Sequence, residues 1–358
     1  MTGHDRMTSV FVCLLALVGC LPELPQPIGA SGPPYPPSPA IEEITWDFAH
    51  LRRLASGSDL WPVTWAADGH LYTSWGDGGG FGGTNTVGRV SLGFARIEGG
   101  PRDFVGVNIW GGKDAEHRAR FPGKCYSMLA VDSTLYGWLW QPGGKLELAF
   151  SRDRSQTWQR VADLRFPEDG FGPASFLNFG KGYAGARDQY VYIYGSEESG
   201  QSLSLARVPK NRITDRSAYE FWSGLDKQGI PLWTSDITQR QPVFTDRNGV
   251  DSAAVIFHPG IKRYLLTAAH RLPGQATGGV GQLGIFDSSE PWGPWTTITY
   301  EDNWGGFGKG EALGYHLPTK WISPNGRTLW MIFSSTGELD AFNLIEVTLT
   351  FRVGEKPK

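Results

Sequence analysis

Two carboxylates, Asp59 and Asp77, stand at the outer ends of the stretch DLWPVTWAADGHLYTSWGDGGGFGG, Asp59 to Gly83. Two carboxyl groups held in one place suit glycoside hydrolysis: one protonates the leaving oxygen, and the other attacks or deprotonates a water. The elements between them explain how they meet. Leu60–Ala66 and Leu71–Gly76 are short apolar and aromatic runs, and the Asp68-Gly69 pair between them is a strong hairpin signal. A hairpin returns both acids to one sheet edge. An uninterrupted ladder with Ala66 opposite Leu71 pairs Leu60 with Asp77 and turns Asp59 to the other face, so a turn or bulge before the strand must re-aim it. At the start of the inner strand, Asp59 is read as the water activator. Asp77 is read as the acid, its pKa raised by the like charge and by a wall of Trp61, Trp65 and Trp75; the reverse assignment stays open. Six glycines between Gly78 and Gly88 read as a loop lying against bound ligand.

Further polar residues fall where strands begin. Lys124 and Lys320 open aromatic strands and are read as facing a central funnel, where they hold a hydroxyl-rich or anionic ligand. Arg187 and Asp188 precede a third aromatic strand, Arg240 lies on the approach to a fourth, and Glu311 sits in a second glycine-rich loop, a reserve acid. Trp61 and Trp75 are read as sugar-binding rings, since a flat ring packs on the apolar face of a sugar. No HExxH or HxH pair and no calcium-loop pattern is present, so neither metal nor cofactor is expected. GDGGGFGG lacks the spacing of a nucleotide loop.

Formal net charge is -3, from 33 basic and 36 acidic residues, and no basic stripe asks for nucleic acid. Fifteen Trp, 12 Tyr, 48 Gly and 24 Pro describe short strands and many loops. Near the N-terminus, Phe11–Val18 is an apolar run too short to span a bilayer and of signal-peptide length. It ends in Leu17-Val18-Gly19-Cys20, which resembles the bacterial lipoprotein box. The organisation expected is a signal peptide over 1–19, a lipidated Cys20 with a proline-rich tether over 20–40, and a catalytic domain over 41–352. The implied address is extracytoplasmic, with a monomer anchored to the outer membrane or cell surface. Eight prolines fall between Pro22 and Pro39, which suits an extended tether. Cys125 is then the domain's one cysteine, read as a buried small hydrophobe.

The body repeats itself loosely. LGFARI, LELAFS, LSLARV, LGIFDS and LIEVTL each follow an aromatic hairpin. Antiparallel units without helical crossovers give an all-β fold, expected to be a five-bladed β-propeller, with a β-sandwich as the alternative. Closure is expected between Ile41–Phe48 and the fifth unit. Ser151, Asp153, Thr157 and Trp158 resemble the Asp-box turn of sialidase-type propellers, which makes Asp153 structural.

The blocks WPVTWAADGHLYTSWGDG (Trp61–Gly78), VSLGFARI (Val90–Ile97), FGPASFLNFGKGYAGARDQYVYIY (Phe171–Tyr194), LARVPKNRITDRSAYEFWSG (Leu205–Gly224), EPWGPWTTI (Glu290–Ile298) and PTKWIS (Pro318–Ser323) carry a resemblance to a bacterial domain family of unknown function, DUF4185. Some relatives in it are similar to endo-acting glycoside hydrolases on D-arabinan, with a propeller fold and an acidic pair in the first blade. Asp59 and Asp77 occupy the corresponding places. The resemblance implies a glycosidase on a carbohydrate substrate without fixing D-arabinan as that substrate. Two other functions compete. One is a polysaccharide lyase drawing on His117, Arg120, Tyr126, Arg187 and His316; the other is a non-catalytic glycan-binding lipoprotein.

Overall fold

The computed structural model describes residues 32–118, 121–141, 145–161, 164, 166, 170–272, 281–307 and 312–352. The apolar N-terminal run, Cys20, Arg120 and Glu311 lie outside them. The described chain is all-β, with only short 3-10 turns between strands. No helix among the described residues is long and apolar enough to cross a membrane.

Five antiparallel meanders follow one another, each of at least four strands. The first runs Val63–Trp65, Leu71–Gly76, Leu92–Glu98, Val105–Trp110, and the second Lys124–Val131, Thr134–Gln141, Lys145–Ser151, Gln159–Val161. The third opens with Phe171–Asn178, Tyr190–Glu197 and Ser202–Pro209, and its outer edge holds Glu220–Leu225 and Pro242–Thr245. The fourth runs Asp251–His258, Arg263–Ala269, Leu283–Ser288, Thr296–Glu301. The fifth begins with Ala312–His316, Thr328–Ser335 and Phe342–Phe351 and takes its outermost strand, Ile41–Trp46, from the start of the chain. The inner strands of units three and four also touch in parallel, Leu177 opposite Val255.

The core lies between units. Leu71 and Trp75 pack with Trp330 and Phe342 of unit five, whereas Tyr72 packs with Cys125 and Met128 of unit two. Two further clusters join units two to four and unit four to unit five. Each second strand is therefore covered on both faces, and Leu71–Gly76 is buried throughout. Such strands read as continuous apolar runs.

Two boundaries differ from expectation. The folded part begins before Ile41: the Tyr35 hydroxyl accepts from Thr245 N at 2.7 Å, and the Ser38 hydroxyl donates to Asp287 at 2.9 Å. Burial of Tyr35 against Phe244 and Phe286 outweighs the proline content of this segment. Ile213–Phe221, a stretch whose sequence suggests a short helix, is a 3-10 turn at Arg216–Ala218 followed by strand.

Candidate active site

The hairpin of unit one ends in a local break of register. Val63 pairs with Thr73 and Trp65 with Leu71, one step from the expected alignment. Beyond Val63 the chain kinks, because Leu60 and Trp61 hold φ of 73° and 57°. Such left-handed residues cost energy unless their surroundings fix them. Here the Trp61 indole donates to Ser58 O at 2.8 Å and stacks on Trp75 with centroids 5.7 Å apart. After the kink, Asp59 pairs with Gly76 through both backbone bonds, 2.8 and 2.9 Å. Its carboxylate lies over Gly76, where an added Cβ would stand 2.3 Å from Asp59 Oδ1. The required re-aiming is thus a two-residue kink.

Asp59 Oδ1 is buried and has no hydrogen-bond partner. Burial pushes the Asp59 pKa up to about 7; the Lys124 charge opposes this, while Asp77 and Asp340 add to it. Asp77 is in the opposite situation. Its Oδ1 stands 2.8 Å from Lys124 Nζ and 3.3 Å from Arg89 Nη2, and its side chain is 38% exposed. Trp61 and Trp75 are buried in the core between units one and five, and Trp65 packs against that core. Asp340, from the loop after the second strand of unit five, completes the cluster. Its backbone oxygen accepts from Gly57 N at 2.6 Å, its Oδ1 is buried without a partner, and burial raises its pKa, with Asp77 adding to the rise. The sequence reading missed Asp340, which belongs to a distant unit with no flanking motif; only the contact between units five and one brings it here.

The cluster stands at the rim of a cavity of about 230 Å³ at the meeting of the inner strands, lined from all five units by residues that include Leu60, Tyr126, Ser196, Ser252 and His316. Neither Asp59 nor Asp77 lines it; they reach it through Leu60, the neighbour of Asp59, and through Tyr126, whose hydroxyl feels the Asp59 charge. Below it the axis narrows to a void of about 20 Å³ between Ser127, Asn178 and His316.

Other sequence candidates fall elsewhere. Trp61 and Trp75 are fully buried between units one and five; they shape the kink and meet no substrate. Gly78, Gly79 and Gly80 are buried as well, and a Cβ on Gly78 would stand 2.1 Å from Gly57 O. That glycine run is therefore a close backbone support for the Asp59 segment rather than a ligand cover. Asp188 and Arg187 lie in the turn between the first two strands of unit three, at the end opposite Asp59. Asp188 accepts from Tyr190 N at 2.8 Å and from the Tyr192 hydroxyl at 2.6 Å, and Arg187 pairs with Glu290. Lys320 is at that far end too, near Asp68 and Lys181, because the inner strand of unit five is Ala312–His316 and Lys320 follows it.

Arg240 is at the cavity end, but it donates twice to Glu197 and once to Ile237 O, each at 2.8 Å. Of the described members of the lyase set, only Tyr126 and His316 share the cavity; His117 bonds Gln156 beside an outer strand. Burial holds the His316 pKa down at about 4. Asp153 does close a turn, accepting from Ser151 Oγ and Thr157 N at 2.8 Å, and Ser155 takes the left-handed place of the missing glycine with φ 70°. Cys125 is buried, which pushes its thiol up to about 12. Among the described residues, no group of three or more His, Cys, Asp or Glu is placed to hold a metal ion.

The match of residues 126–334 to the model of a domain of unknown function, DUF4185, covers more than half of the chain, and the chain belongs to that family. No curated protein matches it in sequence. Among solved structures it is similar to the RS223 β-xylosidase, with TM-score 0.49 and 10% identity over 87% of this chain and 98% of that one. It is also similar to the GH43_1 enzyme from Xanthomonas citri, with TM-score 0.48 and 13% identity over 86% and 92%. A third similarity is to the exo-β-1,3-galactanase from Phanerochaete chrysosporium, with TM-score 0.47 and 9% identity over 88% and 68%.

Proposed function

We propose that the protein is a glycoside hydrolase in which Asp59 is the acid and Asp77 the base or nucleophile. The observation that carries this reading is the asymmetry of the pair. Asp59 has a buried, unpartnered oxygen and a pKa near 7, while Asp77 is ion-paired to Lys124 and Arg89. Two neighbouring carboxyls in environments this different divide into a proton donor and an anion. The assignment reverses the roles read from the sequence. In the reaction the glycosidic C–O bond breaks, Asp59 gives its proton to the departing oxygen, and water supplies the hydroxyl at the anomeric carbon. Asp77 either takes the water's proton or first forms and then releases a glycosyl ester. The kinked backbone positions the acid, and Lys124 pairs with Asp77 while its charge also acts on Asp59.

The fold supports a funnel-shaped site. We read the five meanders as blades of a closed propeller, because the core clusters run from unit to unit and back from five to one, and the N-terminal strand completes the fifth. A sugar polymer then meets the mouth of the funnel. We further propose that a lipidated Cys20 holds the domain at a membrane; Cys20→Ser then releases the protein or blocks its processing. Wild-type protein that takes up no labelled fatty acid contradicts this.

The test of function is a reducing-end assay over bacterial and plant glycans. Asp59→Asn and Asp77→Asn each cost at least about 100-fold in turnover with folding retained. Near wild-type turnover in both variants rejects the carboxylate pair, and an unsaturated, ultraviolet-absorbing product moves the protein to the lyases.

A further inference from the structure

The central cavity and its rim differ in charge. Among the described residues, every side chain lining the cavity is uncharged or, for His316, neutral above acidic pH. The cations nearest the mouth are already engaged: Lys124 and Arg89 by Asp77, Arg240 by Glu197, and Arg271 by Asp251 through bonds of 2.9 and 3.0 Å. Among the described residues, none of these offers an anion inside the cavity a cation of its own. A buried carboxylate or sulfate without a partner is strongly disfavoured, whereas a sugar hydroxyl finds a donor and acceptor in Ser196.

Tyr126 supplies the flat surface that Trp61 and Trp75 do not. Among the described residues it is the one phenyl-type ring lining the cavity, it is 43% exposed, and it stands beside Asp59. The void beneath holds about 20 Å³, too little for a sugar, so the cavity is blind. Its volume of about 230 Å³ suits one ring.

Resting on the hydrolase reading above, we infer that the cavity seats a single uncharged sugar ring packed on Tyr126, with its anomeric carbon toward Asp59 and Asp77, and rejects uronate and sulfated residues at that position. The sugar seated there becomes the new reducing end when the bond breaks. Its identity can therefore be read from the products even where the polymer that yields them has not been identified.

The experiment incubates the full chain with mixed bacterial and plant wall polysaccharides, tags new reducing ends and separates them by anion exchange, with Asp59→Asn as the control. The expected result is neutral tagged ends that are absent from the control. Uronate or sulfated ends that depend on Asp59 overturn the inference and leave the hydrolase reading standing. No Asp59-dependent ends at all overturn the hydrolase reading and the inference with it. On whichever polymer yields ends, Tyr126→Ala raises KM by about tenfold or more, and Tyr126→Phe stays near wild type, as stacking requires. An unchanged KM in Tyr126→Ala with an unaltered Tm overturns the role of Tyr126.

Discussion

The first hairpin carries a carboxylate at each end, and the two are treated oppositely. At the turn, Asp68 accepts from His70 N at 3.0 Å and from the Tyr72 hydroxyl at 2.8 Å. Unit three repeats the device with Asp188, Tyr190 N and Tyr192. Both oxygens have partners, and each carboxylate ties a turn to the strand that follows. At the open end, half-buried Asp59 has one buried oxygen left bare, and Asp340 has the same deficiency. A buried acceptor without a partner weakens a fold, so nothing in the stability of the hairpin explains Asp59. The contrast separates acids that hold strands together from acids left available for a proton.

The sharpest way to break the contrast is Gly76→Ala. The new methyl displaces the Asp59 carboxylate and meets Lys124 Cδ at 2.8 Å, while the backbone bonds around it can persist. Displacement of a catalytic group by about an ångström costs on the order of 100-fold in rate. We expect that loss, measured on any substrate found, with circular dichroism unchanged. Full activity in this variant places the chemistry elsewhere.

A smaller effect distinguishes the two ends by stability. Asp188→Ala should lower unfolding stability by about 1.5–3 kcal/mol, the usual worth of hydrogen bonds to a charged group, while leaving turnover per folded molecule intact. Asp59→Asn should do the reverse. The folded-state pKa of Asp59, about 7, lies above its ordinary value of 3.8. Between these values the folded state binds the extra proton, so this group's contribution to stability falls as pH rises from about 4 to about 7. Asparagine removes that dependence. The variant should match the wild type in urea midpoint near pH 4 and exceed it at pH 8; a midpoint difference independent of pH contradicts the assignment.

The contrast also explains what the sequence could disclose. The Asp68-Gly69 hairpin, the five Leu-containing third strands and the Asp-box turn rest on local chemistry and are legible in it, and the loose repeat points to the pairing of Ile41–Trp46 with the fifth unit. The register of Leu71–Gly76 is not, because a strand buried on both faces has no alternation to align. The large rings misled for a related reason. Trp61 and Trp75 fill the space between neighbouring sheets, and composition does not distinguish such a ring from one that faces a ligand. Asp188 and Lys320 stand beside aromatic strands as Asp77 and Lys124 do, but at the opposite ends, since in each unit the first strand runs away from the cavity and the second returns to it. Asp340 was invisible because its partners come from another unit.

The most direct test needs no substrate. Carbon-13 labelling of aspartate carboxyls, followed by NMR through a pH titration, reports the protonation of each side chain. Asp59, identified by the resonance missing from Asp59→Asn, should titrate near pH 7, far above ordinary aspartates, and its midpoint should fall when Asp77 is changed to Asn. A resonance at that position titrating near pH 4 would contradict the division of the pair into acid and anion.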